Sequence, residues 1–336
     1  MNTSNNLKAN NLRRPYFQSV TWSLPTARAV LAAMKAVATL QGTRPLDAIS
    51  CEMLEATRDW VLKEKAIVID DLAILSPAEF AQQVQDQRQR QQALQFLILM
   101  PYLDTQVDSY EVQLVHAYAA ELQLAPHTLK SLRLVGDRKL LPLLLGYTRR
   151  TIATMLPGRG FWQKTKLVFS AVRQYFGDAK VAQRYQALAS LPADTLGREL
   201  YGYYRDRHFP LPGEPKSFTE LIVGHDLVHL LSGIGTDMEG EITVAGFEAG
   251  MSRSEFGFEL LLEVILDFHL GLQFTTMGVL ESGQNHLKPT ALMQAYARGL
   301  QMQFDLLDPA WDFKSALDQP IATLRQRYQL PEPTCC

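Results

Sequence analysis

Apolar residues recur three and four positions apart along nearly the whole of this 336-residue chain, and runs that alternate apolar with polar are scarce. Positions i, i+3, i+4 and i+7 of a helix share one face, so the pattern predicts an all-α protein. Two stretches of the first half read as helix, break, helix. One runs from Leu31 to Leu62 through Gln41-Gly42-Thr43-Arg44-Pro45, the other from Leu94 to Leu124 through Asp104-Thr105-Gln106-Val107-Asp108. Setting Leu40 against Leu103 superposes the breaks, with a small length change in the turn, and describes a doubled helical hairpin. In the second break Asp108 and Glu111 have the spacing of a helix N-cap and its capping-box acid; the other reading of two carboxylates there is a metal site. Farther on, Glu255 to Phe274 is apolar nearly all round, as befits a helix that is core or that lines an apolar cavity. Within it Glu259, Glu263 and Asp267, with His269, are spaced as a polar stripe that the pattern assigns to solvent.

Composition narrows the class without naming it. A hydrophobic fraction of 47% and a charged fraction of 20% describe an ordinary globular protein, and a net charge of -2 gives no reason to expect nucleic acid as a partner. Cys51 is isolated and Cys335 and Cys336 end the sequence, which makes no disulfide framework. No eighteen-residue apolar run and no secretory leader are present, so the expectation is a cytoplasmic protein. Residues 1 to 46 hold no acid; the first 22 read as a disordered leader and the helical pattern begins behind them.

One segment departs from the average. From Arg138 to Arg173 there are eight Lys or Arg residues and no Asp or Glu, a local +8 that leaves -10 on the remainder. Leu140, Leu141, Leu143, Leu144, Leu145, Phe161 and Trp162 lie among these charges. Such a mixture fits a surface resting on anionic lipid, which would make the protein peripheral to a membrane, or a linker docked on the acidic remainder. The break Pro157-Gly158-Arg159-Gly160 marks a loop inside it. The expected organisation is therefore two helical domains, 23–135 and 165–325, joined by a basic and apolar linker over 136–164 and ending in a tail over 326–336.

Candidate chemistry concentrates in His225-Asp226-Leu227-Val228-His229 and, eleven residues on, Glu241. His225, Asp226 and His229 share one arc of a helix, because residues four apart are stacked and the next residue is turned by roughly 100°. Gly233 and Gly235 predict the end of that helix, so Glu241 belongs to the following element. Burying two acids among Val223, Leu227, Val228, Leu230 and Leu231 is costly unless a cation compensates them. Two imidazoles and two carboxylates suit Zn²⁺, Fe²⁺ or Mn²⁺. The Glu that serves zinc proteases as general base is here Asp226, one methylene shorter, which argues against peptide hydrolysis. No Gly-x-Ser-x-Gly elbow, phosphate-binding Gly-rich loop or Cys-x-x-Cys competes.

The same residues carry a resemblance. His-Asp-x-x-His followed by Glu241, preceded by Leu191-Pro-Ala-Asp-Thr-Leu-Gly197 and continued by Gly240-Glu-Ile-Thr-Val-Ala-Gly-Phe-Glu248, resembles the coenzyme Q biosynthesis protein four family over about residues 165 to 325. The resemblance implies His225, Asp226, His229 and Glu241 as ligands of a divalent transition metal, Zn²⁺ or Fe²⁺, in an all-helical fold with an apolar tunnel for a polyprenyl chain. It implies replacement of the C1 carboxyl of a polyprenylated benzoate ring by hydroxyl, in ubiquinone biosynthesis. The first half is similar to the tellurite-resistance TerB-like helical domain in its second hairpin, Leu103 to Glu111; the first hairpin, at Gln41-Gly42-Thr43, lacks that family's turn carboxylate. Expected partners are a polyprenylated quinone precursor or other isoprenoid lipid, a membrane surface and a quinone-biosynthesis complex. Two functions stay open: a metal-dependent enzyme acting on the ring, and an organiser that presents prenylated precursors while the metal is structural. An open coordination position separates them.

Overall fold

The computed structural model describes residues 20–155, 177–217, 220, 222–273 and 283–330. Among these the chain is all-α: no strand forms, and only two isolated bridges pair extended residues, Thr195 with Pro320 and Leu270 with Gln284. In chain order the helices of the first half are α1 (Leu24–Ala38), α2 (Ala48–Ala56), α3 (Pro77–Gln83), α4 (Gln87–Leu99), α5 (Ser109–Glu121), α6 (His127–Gly136) and α7 (Leu140–Met155). The next are α8 (Ala179–Gln186), α9 (Leu196–Asp206) and α10 (Val223–Ser232). They are followed by α11 (Met238–Met251), α12 (Glu255–Phe268), α13 (Pro289–Leu300) and α14 (Ile321–Tyr328).

Packing divides the described chain into two compact units, neither of them one continuous stretch. The described residues within 20–148 and 236–300 form the hairpin unit; those within 149–235 and 301–330 form the histidine unit. Thr236–Leu300, inside the stretch expected to form the second domain, thus packs with the first half of the chain.

In the hairpin unit both expected helical hairpins are present. Ser23 caps α1, its Oγ accepting from the Thr26 amide, and Pro25 sits in the first turn where its missing N–H is not needed. Small residues dominate α1, so it is buried on nearly all sides, from Ala27 to Ala38. Trp22, placed in the leader by the sequence pattern, is itself buried in this core; residues 1–19 lie outside the described residues. The chain reverses through Leu40, Gln41 and Gly42, all at positive φ, and α2 then runs into a π-helical turn, Thr57–Leu62. The Lys35 ammonium pins the loop beyond that turn by donating to the carbonyls of Ile69, Asp70 and Leu72 at 3.0, 2.9 and 3.1 Å. Those three bonds use all three of its donors.

Helices α11 and α13 approach closely because glycine faces helix backbone. A Cβ on Gly250 would fall 2.1 Å from the Tyr296 carbonyl oxygen, and one on Gly299 2.1 Å from that of Phe247. Beside them, α12 has Leu261, Leu262, Ile265 and Leu266 in the core. Two expectations for this helix change. It ends at Phe268 rather than continuing to Phe274, because Leu270 pairs with Gln284 and Gly271 turns at φ 69°; Phe274 lies outside the described residues. Its stripe is not solvated either, for Glu259, Glu263 and Asp267 are buried.

In the histidine unit, α9 starts within the Leu-Pro-x-x-Thr-x-Gly element. The Thr195 hydroxyl accepts from the Arg198 amide as N-cap, and the Gly197 amide donates to Leu317 O at 2.7 Å. Any side chain at 197 would meet that oxygen at 2.8 Å, so the glycine is fixed by the close pass of the chain before α14.

Candidate metal centre

Helix α10 positions the histidines. Val223, Leu227, Val228 and Leu231 are fully buried and hold one face of it in the unit's core, while His225 is half-buried and His229 buried. It ends as expected at Gly233, whose φ of 73° lets the amide turn back to His229 O at 2.9 Å. The open carbonyls of its last turn are met from α14, where Arg325 donates through Nε to Leu231 O at 2.9 Å and through its terminal nitrogen to Leu230 O at 3.3 Å. The C-terminal end of this helix is thus tied twice, by the Gly233 turn and by Arg325.

His225 and His229, one turn apart, turn their Nε2 atoms toward each other at 3.2 Å with the rings perpendicular. The Nδ1 of His229 stands 3.2 Å from the Ile234 carbonyl, to which only an N–H can donate, and this places the lone pair of that ring on Nε2. Metal–nitrogen bonds of about 2.0–2.1 Å at a tetrahedral angle put two ligand nitrogens about 3.3 Å apart, so the spacing is that of two imidazoles on one ion. The same separation accommodates a single N–H···N bond, and metal content distinguishes the two.

Asp226, on the same helix, is buried and accepts a hydrogen bond from the Tyr204 hydroxyl of α9. Burial first, and then the Asp226 charge, hold the Tyr204 phenol well above its usual range, so it stays a donor. The Thr195 cap and the Gly197 contact set the position of α9, which joins the Leu-Pro-x-x-Thr-x-Gly element to Asp226 through Tyr204. Sequence reasoning missed this tyrosine; its signal was the spacing Leu196, Leu200, Tyr203, Tyr204, which lines the buried side of one helix.

In the hairpin unit, Glu241 lies in the first turn of α11, behind an Asp237 N-cap that accepts from the Gly240 amide at 2.7 Å. Its side chain is buried. Of the four expected ligands, His225, Asp226 and His229 thus belong to the histidine unit and Glu241 to the hairpin unit. Within the histidine unit the two histidines face each other, while Asp226 has Tyr204 on one of its oxygens.

The other polar candidates have protein partners. Asp108 is the N-cap of α5, accepting from the Tyr110 amide at 2.8 Å, as the sequence predicts. Glu111 pairs instead with Arg44, which also reaches Asp108 at 3.2 Å, so a guanidinium from the first hairpin's break supplies the positive charge at these carboxylates. Burial still pushes the Glu111 carboxyl up, to about 8, against the pull of Arg44. His269 is a core residue: its Nε2 lies 2.9 Å from Leu103 O and its Nδ1 accepts from the Leu287 amide at 3.3 Å.

No described helix is long and apolar enough to cross a membrane. Trp162, Phe161 and the Pro157–Gly160 break lie outside the described residues. Comparison with protein-family models, curated proteins and solved structures finds no match.

Proposed function

We propose that the protein is a metal-dependent enzyme of prenylquinone biosynthesis that holds one divalent transition metal through His225, His229 and Glu241. The observation that carries the metal is the 3.2 Å between the two Nε2 atoms, one of them with its lone pair fixed by the Ile234 carbonyl. Two imidazoles and one carboxylate with open positions suit Fe²⁺ and oxygen chemistry, and three ligands plus water suit catalytic Zn²⁺. Asp226, hydrogen-bonded by Tyr204, adds negative charge beside the histidines and serves as a positioning residue, or as a fourth ligand through its second oxygen.

The substrate class rests on the resemblance of the His-Asp-x-x-His, Glu241 and Leu-Pro-x-x-Thr-x-Gly elements. In the reaction it points to, the C1 carboxyl of a polyprenylated benzoate leaves as CO₂ and one oxygen atom of O₂ becomes the ring hydroxyl. The other oxygen leaves as water, with two electrons and two protons from a reductant. The bound metal would supply activation of O₂.

The organiser reading is favoured by one specific possibility, that Asp226 closes the coordination shell. Elemental analysis of the protein and of the His225→Ala, His229→Ala double variant tests the site: the variant is expected to lose the metal, and full retention would refute it. Anaerobic reconstitution with Fe²⁺, followed by spectroscopy with and without a prenylated hydroxybenzoate, tests the open position. A spectrum that shifts on adding the ring, with CO₂ released once O₂ and a two-electron reductant enter, supports the enzyme; an unshifted spectrum with retained metal leaves the organiser.

A further inference from the structure

Helix α7 presents leucine to water. Leu140, Leu141, Leu144 and Leu145 are 39%, 68%, 39% and 63% exposed, while Leu143 and Tyr147 are buried in the core of the hairpin unit. Positions i, i+1, i+4 and i+5 cover well over a third of a helix's circumference, so the helix is anchored by one side and offers a broad apolar face on the other. An apolar face this exposed is unusual on a helix whose other side is seated in the core.

Cations flank it in the sequence. From His127 to Arg150 the sequence carries Lys130, Arg133, Arg138, Lys139, Arg149 and Arg150 against the single acid Asp137. Lys130, Arg133, Arg138, Lys139 and Arg149 are exposed. Asp137 offsets one of them, pairing with Lys139 at 2.9 Å. Arg149 stands one turn beyond Leu145, on the same side of the helix.

We propose that α7 docks the protein on an anionic lipid bilayer, its four leucines entering the acyl boundary and the adjoining Lys and Arg side chains meeting the headgroups. Apolar insertion and a polybasic rim are the two signals that together give stable but reversible attachment. The size of the patch favours lipid over a second copy of this chain: the exposed leucine surface is roughly 400 Å², about half of what one partner of a stable protein interface buries. Its charge does too, since the core of a protein interface is depleted of such residues, whereas a headgroup layer takes them. The proposal stands apart from the metal centre and survives or fails without it.

The test is flotation of the full-length protein with phosphatidylcholine vesicles, with and without phosphatidylglycerol, beside the Leu141→Glu, Leu145→Glu double variant and the Arg138→Glu, Arg149→Glu double variant. All four positions are exposed, and retained helicity and thermal midpoint confirm that the variants fold. The wild type is expected to float with anionic vesicles and to detach in high salt. Loss of each arginine contact should weaken recovery about fivefold, and the leucine variant should fail to float although its cations remain. Recovery that is equal on neutral and anionic vesicles, absent on both, or unchanged in the leucine variant would overturn the proposal. So would a concentration-dependent dimer that the leucine variant abolishes, which would assign the face to a second copy.

Discussion

Arg44 reaches from the break of the first helical hairpin to Asp108 at the start of the last helix of the second, 3.2 Å away. The same guanidinium pairs with Glu111, and its Nε donates to Ala38 O at 2.8 Å. The two hairpins are thus complementary at their turns: one contributes a cation and the other two acids, and Arg44 ties the second hairpin to the C-terminal end of α1.

Arg44→Met keeps much of the side-chain volume and leaves Glu111 buried opposite an apolar group. The expected loss is about 1–2 kcal/mol in urea unfolding, that of a lost hydrogen-bonded pair rather than of a stranded charge, because burial already favours the neutral Glu111 carboxyl and Arg44 is one-third exposed. Glu111→Gln should cost less, since burial already favours the neutral carboxyl. A larger loss for Glu111→Gln than for Arg44→Met would contradict this account.

His269→Phe fills the same space but leaves Leu103 O without its donor and the Leu287 amide without its acceptor, at an expected cost of about 2–3 kcal/mol. Burial lowers the pKa of this imidazole. A base whose folded pKa lies below its unfolded value contributes stability that is complete above the unfolded value, near 6.5, and is lost as pH falls through the folded one. The stability gap between wild type and variant should therefore shrink as pH drops below about 6.5, which denaturation series at several pH values will show.

Glu214 gives the corresponding test in the histidine unit. Its hydrogen bonds from Arg205 first, and then from Gln186 and the Leu211 amide, hold its carboxyl at about 2. A depressed carboxyl contributes stability that is present above the unfolded pKa, near 4.3, and is lost as pH falls toward 2. Wild type should exceed Glu214→Gln at neutral pH and converge on it through that window; a gap independent of pH would rule the ion pair out as its cause.

Much of this was readable from the chain. Helical periodicity, the breaks at Gly42 and Gly233 and the Asp108 cap all follow from local rules, and the structure bears them out. The placement of the histidines on one face is equally local, a consequence of four-residue spacing. What periodicity could not supply was the identity of the surface against which each face packs. Glu259, Glu263 and Asp267 form the stripe that the pattern describes, yet they are buried, while Leu141 and Leu145, which the pattern could not orient, are exposed. Tyr204 escaped notice because its partner Asp226 is 22 residues away on another helix.

Glycine gives a prediction in which one substitution changes sign with its surroundings. At Gly250 an added methyl would meet the carbonyl oxygen of Tyr296 at 2.1 Å, and at Gly299 the carbonyl oxygen of Phe247 at the same distance; neither oxygen can swing aside, because each belongs to helix backbone. Relief requires α11 and α13 to move apart, undoing packing along their whole crossing, so Gly250→Ala and Gly299→Ala should each cost about 3 kcal/mol or more despite the better helix propensity of alanine. Because both strains are relieved by the same separation, the double variant should lose less than the sum of the two. Gly224, in the first turn of α10, has nothing within 4 Å of an added Cβ. There Gly224→Ala should stabilise by up to about 1 kcal/mol through reduced backbone entropy of the unfolded chain. Urea midpoints for the three single variants and the double one decide the matter: equal small effects at all three sites would mean that the α11–α13 contact is looser than the glycines require.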